Sequence, residues 1–529
     1  MRLMAGLIAA ALAFALGLHG TASASTGTPA ATLSGASIRD LAGHSVRSAA
    51  AVGRFYRERD FQPIWTGRDR SALRDLQAAV DAAAAHGLSP SDYHASALAK
   101  AFEDGEWTAV EILATDAYLT LGAHLLRGKV DPVSVEPNWT ASRRSADLIA
   151  HLVEAVENGR VRESLEALAP GAPSYKALQA ALPRYEGITA AGGWPEVPDG
   201  PTLKPGMQGT RVAVLRRRLA AEGLLAQPTD GPDDVFDAAT EAAVGTFQRR
   251  IGLEADGVAG PLTLRELNRS AAGRAAQIRA NLERWRWLAE DLGDRHVRVN
   301  IADFRLETWT AGKPENVYDV IVGRTYRKTP VFSDRISFVV LNPWWETPPN
   351  IARLDKLPAF KSDPGAIQKL GFEVLDRGGN RLDATTIDWQ AYTPRDFPFQ
   401  LRQRPGPQNA LGQVKLMFPN PHNVYLHDTP SRELFGRTRR DFSSGCVRVD
   451  RALELTAWTL SGTPGWDRER IDAAVTSGRE VRVDLAAKVP VHIMYMTAVR
   501  AAAGTIRFVS DLYDRDPRLI AALNKRWPG

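Results

Sequence analysis

The stretch that decides the fold lies near the carboxyl end of the chain. It reads Asn423-Val424-Tyr425-Leu426-His427-Asp428-Thr429-Pro430 and, after a spacer, Ser443-Ser444-Gly445-Cys446-Val447-Arg448. Alternating side chains in its first half predict a strand that places Tyr425 and His427 on one face. Cys446 is the one cysteine of 529 residues, so it forms no internal disulfide and is either a reactive thiol or a buried core residue.

The residues before Cys446 favour a reactive thiol. Two serines and a glycine suit a tight turn with exposed backbone N–H groups. Attack on an amide by a thiol needs a base, and it needs N–H donors directed at the oxygen on which charge develops. His427 can supply the base, and the backbone at Gly445 and Cys446 can supply the donors. We therefore interpret the two halves as one nucleophilic site.

The same residues resemble the signature of L,D-transpeptidases with a YkuD-type catalytic domain, most closely that of their large YcbB-like branch. Four further motifs extend the resemblance over most of the chain from residue 281 onward, at 281–287, 326–332, 342–345 and 405–412. Many YkuD domains carry histidine where this chain has Ser444, and glycine where it has Asp428. A role for a histidine beside the cysteine therefore cannot be transferred.

The resemblance implies roles for individual residues. Cys446 is expected to be the nucleophile, His427 its proton acceptor and later donor, and Gly445 with Cys446 the oxyanion donors. Residues expected to contact substrate are Arg448, Ser443, Ser444, Tyr425, Asn409 and Trp344. Four of them have a structural alternative: a salt bridge for the arginine, capping of the turn for the two serines, and core packing for the tryptophan.

The resemblance also implies a reaction in cell-wall biogenesis, and hence in the control of cell shape. The thiolate would attack the carbonyl at the L-centre of the third residue of a tetrapeptide stem, expelling the terminal D-alanine and forming a thioester. An amine of a second stem would then complete a 3→3 crosslink. Water as acceptor would make the protein an L,D-carboxypeptidase, and an inert thiol would leave a catalytically silent wall-binding scaffold. Expected partners are peptidoglycan stem peptides and other wall-synthesis enzymes.

We predict a multidomain α+β fold. A helical scaffold domain is expected at 37–196, a small three-helix peptidoglycan-binding module at 203–268, and a β-sandwich-like YkuD catalytic domain at 281–515. The long interval between the tryptophan and histidine motifs predicts a capping insertion at about 346–420. Apolar residues at helical spacing, with turns at Asp256-Gly257 and Gly260-Pro261, predict a small helical module, and its motif resembles the peptidoglycan-binding module of many cell-wall hydrolases. A plain helical spacer is the alternative reading of that segment.

The amino terminus has the form of a secretory leader. An apolar stretch from Leu3 to Leu18 is followed by Ala22-Ser23-Ala24, a small-x-small cleavage pattern that predicts removal of residues 1–24. We expect export to the periplasm or cell envelope, with an uncleaved membrane anchor as the alternative.

Composition points to no further function. A net charge of +5 over this length is consistent with an anionic wall but indicates no nucleic-acid partner. The sequence contains no phosphate-binding loop and no clustered metal ligands, so we expect no cofactor and no metal.

Overall fold

A computed structural model describes residues 45–525 except 67–69, 138, 140–142, 227–233 and 502–503. The predicted leader at 1–24 lies outside the described residues and stays a prediction. The described chain is a multidomain α+β protein, as the sequence predicts.

Helices make up the described chain up to residue 286. They are α1 (Ala49–Glu58), α2 (Ser71–Ala82), α3 (Ala95–Glu103), α4 (Trp107–Arg127), α5 (Pro132–Val135), α6 (Leu148–Glu157), α7 (Val161–Ala167), α8 (Pro173–Ala190), α9 (Thr210–Ala221), α10 (Ala238–Arg250), α11 (Pro261–Leu267) and α12 (Ala271–Arg286).

Helix α4 is the centre of the amino-terminal domain. It is long and apolar enough to cross a membrane, but 89% of its apolar window is buried inside the domain, as in a core helix. Two carboxylates on α4 organise the segments around it. Glu111 accepts hydrogen bonds from the N–H groups of Ile64 and Trp65 at 3.0 and 2.9 Å, and Asp116 accepts from the Ser48 N–H at 2.6 Å. These buried acids are satisfied by backbone donors, which offsets the cost of burying charge.

Helices α9, α10 and α11 form a module with its own hydrophobic core. The side chain of Asp237 caps α10 by accepting from the Thr240 N–H at 2.8 Å. Gln248, near the end of α10, donates to Asp256 at 2.7 Å and accepts from the Gly257 N–H at 2.9 Å. The Asp-Gly turn noted in the sequence is therefore held against the second helix of the module.

The strands that follow are β1 (Arg295–Asn300), β2 (Arg305–Thr310), β3 (Lys313–Ile321), β4 (Phe332–Leu341), β5 (Trp345–Glu346), β6 (Phe372–Leu375), β7 (Arg381–Leu382), β8 (Gln400–Gln403), β9 (Val414–Met417), β10 (Leu426–His427), β11 (Val447–Val449), β12 (Val481–Met494), β13 (Ala498–Arg500) and β14 (Ile506–Phe508).

Eight of these strands close into a barrel in the order β1-β12-β4-β9-β10-β11-β3-β2. The neighbours β1 and β12 are parallel, as are β10 and β11, and the remaining pairs are antiparallel. The sequence predicts a sandwich-like domain, and the structure differs in that its layers belong to one closed sheet. The long strand β12 allows closure because a register shift between Asp484 and Val489 lets it bend while pairing with β4.

A cap is inserted between β4 and β9. It contains the sheet β5-β8-β6-β7, the helices α13 (Pro349–Ile351), α14 (Leu357–Ser362) and α15 (Ala366–Lys369), and one π-helical turn at Ala352–Lys356. Its separate core is aromatic, with the Phe360 ring 5.4 Å from Phe372 and 5.5 Å from Trp389. The insertion ends earlier than the predicted residue 420, because β9 belongs to the barrel.

The carboxyl-terminal part packs the barrel onto the amino-terminal domain. It contains α16 (Ala452–Leu460), α17 (Arg468–Thr476), the hairpin β13-β14 and α18 (Asp516–Leu523). Arg284 of α12 pairs with Asp516 at 2.6 Å, and Asn281 exchanges hydrogen bonds of 2.8 Å with Thr497. One hydrophobic core runs from the amino-terminal helices into the barrel. The two parts therefore form one packed unit, with α12 at their junction.

A buried ion pair on α12 ties this junction together. Glu283 and Arg286 have fully buried side chains 2.6 Å apart. The carboxylate also accepts from the Val130 N–H at 2.6 Å, and the guanidinium donates to the carbonyl of His86 at 2.8 Å.

We predict that Glu283→Ala lowers the free energy of unfolding of this unit by about 3–5 kcal/mol, because it leaves the Arg286 charge buried without its partner. Urea unfolding followed by tryptophan fluorescence measures the change. Glu254→Ala, at an exposed position of the module, is the control and is expected to change stability by no more than about 0.5 kcal/mol. Equal stability of the two variants would contradict the role given to Glu283.

Candidate active site

Two short strands place Cys446 and His427 on one face of the barrel sheet. Strands β10 and β11 are parallel, with Leu426 opposite Val447 and His427 opposite Arg448. Leu426 and Val447 are fully buried in the barrel core. Because side chains alternate along strands, Tyr425, His427, Cys446 and Arg448 lie on the other face. The two halves of the motif, which are separated in the sequence, therefore contribute side chains to the same face of the sheet.

The ring of His427 is buried and held in one orientation. Its Nδ1 lies 2.5 Å from the carbonyl oxygen of Asp428. A carbonyl only accepts, so Nδ1 carries the proton and Nε2 of the neutral ring is free to accept one. Burial, with the nearby positive charges of Arg448 and Lys415, lowers the pKa of His427 to about 3. The imidazole is therefore neutral at neutral pH and has the tautomer of a base.

The thiol of Cys446 is half-buried beside Asn423 and Tyr425. Its Sγ lies 3.6 Å from the Asn423 carbonyl. Burial raises the pKa of Cys446, although hydrogen bonds from Tyr425 and the charge of Arg448 act in the opposite direction. Across the described residues no hydrogen bond joins Sγ to the His427 ring. The resting site therefore pairs a neutral thiol with a neutral imidazole.

The turn before Cys446 is held by the hydroxyl of Ser443. This hydroxyl donates to the Cys446 carbonyl at 2.5 Å and accepts from the Gly445 N–H at 3.1 Å. Gly445 has φ of 124°, a conformation that favours glycine. The N–H of Gly445 is thus already engaged, whereas the N–H of Cys446 has no partner among the described residues. Cys446 is the better-placed oxyanion donor of the two.

A second loop supports the turn from behind. Thr329 donates through its hydroxyl to the Gly445 carbonyl at 2.8 Å and accepts from the Gly323 N–H at 2.9 Å. The Tyr513 hydroxyl donates to the Gly323 carbonyl at 2.5 Å and accepts from the Thr329 N–H at 3.1 Å. These bonds fix the turn that carries Cys446 against the carboxyl-terminal segment of the chain.

Asp428 holds the histidine strand as well as the histidine ring. Its carboxylate accepts from the Gln413 N–H at 2.9 Å and from Arg432 at 2.9 Å. Gly412 packs against this carboxylate so closely that a Cβ atom at residue 412 would overlap it. The aspartate that follows His427 is therefore accommodated by a glycine on the neighbouring segment.

Tyr425 and Arg448 flank the thiol. Tyr425 packs against the cap core that contains Trp345, and burial followed by the charge of Cys446 raises the pKa of Tyr425. Arg448 is half-buried, and its Nε has no hydrogen-bond partner in the described part of the chain. No described carboxylate lies within salt-bridge distance of it. The salt-bridge alternative for Arg448 thus lacks support, and its guanidinium remains available to a ligand.

The remaining predicted residues differ in their surroundings. Ser444 is exposed and accepts from Arg327 at 3.0 Å. Trp344 is half-buried under the guanidinium of Arg402, 4.7 Å from its ring centre. The amide of Asn409 is buried and donates to the backbone carbonyls of Pro343, Gln403 and Arg404 at 3.0–3.3 Å. Asn409 therefore braces the end of the cap, and its contacts do not support the predicted binding of substrate.

Several residues of the site were not assigned roles from the sequence. Thr329 and Arg327 lie in the 326–332 motif, which marks the resemblance without indicating what each residue contacts. Gly412 is the last residue of the 405–412 motif, which likewise does not indicate what the residue contacts. Tyr513 and Asp355 lie outside every motif. Within the described ranges, no group of three or more His, Cys, Asp or Glu side chains could hold a metal ion.

Comparison with protein families assigns three segments. Residues 50–182 match a scaffold domain, 208–267 a "Putative peptidoglycan binding domain", and 294–467 the L,D-transpeptidase catalytic domain YkuD. The last match contains both His427 and Cys446.

Two curated relatives match parts of the chain. A "Putative L,D-transpeptidase" of Haemophilus influenzae is 35% identical over 229 residues, 43% of this chain and 46% of the relative. A "Probable N-acetylmuramoyl-L-alanine amidase" of Bacillus licheniformis is 37% identical over 78 residues, 15% of this chain and 22% of the relative. The chain thus spans less than half the length of either relative.

Two solved structures are also similar. An L,D-transpeptidase from Xylanimonas cellulosilytica covers 56% of this chain and 100% of its own, with 16% identity and a TM-score of 0.18. An L,D-transpeptidase from Stackebrandtia nassauensis covers 57% of this chain and 96% of its own, with 15% identity and a TM-score of 0.21. The assignment therefore depends on the family and sequence matches: the chain carries an L,D-transpeptidase catalytic domain of the YkuD family, together with a scaffold domain and a peptidoglycan-binding domain.

Proposed function

We propose that this protein is an exported L,D-transpeptidase that joins peptidoglycan stem peptides by 3→3 crosslinks, through a thioester on Cys446. The observation that carries the proposal is the arrangement of Cys446 and His427 on adjacent parallel strands, with the histidine held in the tautomer of a base. The family match of the surrounding domain and the peptidoglycan-binding match support the choice of substrate.

In the first step the Sγ of Cys446 attacks the carbonyl carbon at the L-centre of the third stem residue. The thiol is neutral at rest, so its proton moves to Nε2 of His427 as the carbon–sulfur bond forms. The imidazolium then protonates the departing amine of D-alanine as the carbon–nitrogen bond breaks. The histidine ends neutral, and the stem is held as a thioester.

The negative charge of the tetrahedral intermediate needs donors that do not have to reorganise. The unpartnered N–H of Cys446 is the first of these. The Gly445 N–H can contribute once the Ser443 hydroxyl releases it. Arg448, charged and without a salt-bridge partner in the described chain, lies on the same face and stabilises negative charge near the sulfur.

In the second step an amine of another stem attacks the thioester, and His427 removes the amine proton and returns it to the sulfur. Water could attack in the same way, and the product would then be a tripeptide stem. The cap, whose core packs against Tyr425, is the element that limits water near the thiol. We propose that its closure favours the amine acceptor over water.

The binding module, the leader and the partners complete the proposal. We propose that the module at 208–267 holds the enzyme on peptidoglycan in the periplasm or cell envelope, where other wall-synthesis enzymes supply its donor stems. We also assign the protein to the YcbB-like branch, because it combines the scaffold, module and cap in one chain.

We predict that wild-type protein converts purified disaccharide-tetrapeptide into crosslinked dimers, and that Cys446→Ala yields none. His427→Gln should lower the rate by about 10²–10⁴-fold, since proton transfer loses its acceptor. His422→Gln, at a nearby half-buried histidine, should keep the wild-type rate. Mass spectrometry of the products measures the rate of dimer formation by wild type and the three variants. Tripeptide without dimers would replace transpeptidation by carboxypeptidation, and no turnover by wild type would favour a silent wall-binding scaffold.

The rate constant for acylation of Cys446 by a carbapenem is expected to stay nearly constant from about pH 5 to about pH 8. The pKa of His427 is about 3 and that of Cys446 is raised, so both groups stay neutral over this range and the proton moves only during attack. Stopped-flow measurements across this range test the expectation. A rate constant that rises about tenfold per pH unit would contradict the neutral pair. So would a rate constant that decreases at pH values below the ordinary histidine pKa.

A further inference from the structure

The guanidinium of Arg327 lies beside the turn that carries the nucleophile. Its Nη1 donates to the hydroxyl of Ser444 at 3.0 Å, two residues before Cys446. The chain on either side is fixed, because Arg324 donates its N–H to the Ser443 carbonyl at 3.0 Å and Thr329 bonds Gly445. Arg327 is thus positioned at one end of the Ser443–Cys446 turn.

The partner of Arg327 is a carboxylate from the cap. Asp355 receives two parallel hydrogen bonds, at 2.6 Å from Nη1 and 3.1 Å from Nη2. This two-point geometry is the one by which arginine recognises carboxylates in general. Asp355 belongs to the π-helical turn Ala352–Lys356, a type of irregularity that often occurs at functional sites.

The pair is accessible to solvent. The exposed fraction of the side chain is 21% for Arg327 and 35% for Asp355. A ligand carboxylate can make the same two hydrogen bonds to Arg327, so it can replace Asp355 at small net cost. The bond that joins the cap to the nucleophile turn is therefore exchangeable.

Positive charge dominates the surroundings of the thiol. Arg448 lies near Cys446 without a described salt-bridge partner. Its pKa is lowered mainly by burial and, to a smaller extent, by the nearby charge of Arg324. Lys356, next to Asp355, has a pKa lowered by burial and then by Arg448. A cleft of this charge attracts an anionic substrate.

We propose that Arg327 binds the terminal carboxylate of the donor stem, and that Asp355 occupies this carboxylate site in the free protein. The inference rests on the proposed function, in which the residue that leaves is the terminal one. Its carboxylate is one residue beyond the carbonyl that Cys446 attacks, a distance of about 3.5 Å along an extended chain. Arg327 contacts Ser444 of the same turn as Cys446, so its guanidinium lies on the side of the nucleophile where such a carboxylate can bind. Arg327 would then select stems that end one residue after the scissile bond, and binding of the donor would release Asp355, and with it the cap, from Arg327.

The test compares a tetrapeptide donor that has a free terminal carboxylate with the same donor amidated at its terminus. For wild type, the value of kcat/KM should be higher for the free carboxylate by about ten- to a hundredfold. Arg327→Gln should remove this preference by lowering kcat/KM for the free donor while leaving the amidated donor nearly unchanged. Turnover of the amidated donor also reports that the variant is folded.

Two further variants make the test specific. Arg381→Gln changes an exposed arginine of the cap strand β7 that pairs with Glu373 at 3.4 Å, and it should keep the wild-type preference. Asp355→Asn removes the competing charge and should lower KM for the free donor by up to about fivefold, with kcat unchanged.

Two results would overturn the proposal. One is that Arg327→Gln lowers kcat/KM equally for the free and the amidated donor, and the other is that Asp355→Asn raises KM for the free donor. Either would make the ion pair a structural tie of the cap. Failure of the proposed function is distinguishable, because wild type would then turn over neither donor.

Discussion

The register between two very short strands is the constraint on which the active site depends. Strand β10 contributes two residues and β11 three, and both are fixed because the closed barrel pairs β10 with β9 and β11 with β3. A slip of one residue would move Leu426 and Val447 out of the core and turn His427 and Cys446 into it. The apolar residues of the barrel therefore determine where the thiol and the imidazole lie, although none of them takes part in the chemistry.

Burial gives this pair its chemical character. It raises the pKa of Cys446 and lowers that of His427, so the resting site holds two neutral groups. A thiolate–imidazolium pair would need desolvated charges that this environment disfavours. The carbonyl of Asp428 sets the histidine tautomer, and Ser443 and Thr329 hold the turn, so attack requires proton transfer but little movement of the protein. A thiol that stays neutral is also protected from unselective reaction, because the thiolate is the reactive form.

The sequence predicts the multidomain organisation and the proximity of His427 to Cys446, because the motif is local and its strand pattern is regular. It predicts less well what depends on contacts between distant segments. Closure of the barrel requires β1 to pair with β12, and the support of Gly445 comes from Thr329 in another loop. The engagement of the Gly445 N–H by Ser443 depends on a side-chain rotamer, and the pairing of Arg327 with Asp355 depends on how the cap folds back. Periodicity along one chain carries no information about such pairings.

The central claim is that the substrate is held covalently on Cys446. Acid quenching of wild-type protein during turnover of a tetrapeptide donor, followed by proteolysis and mass mapping, tests it most directly. The account predicts that the peptide containing Cys446 gains the mass of the donor without its terminal D-alanine, and that the modification is removed by hydroxylamine, as expected of a thioester. An acyl group on another residue, or turnover with no acylated peptide under conditions that trap thioesters, would contradict the account.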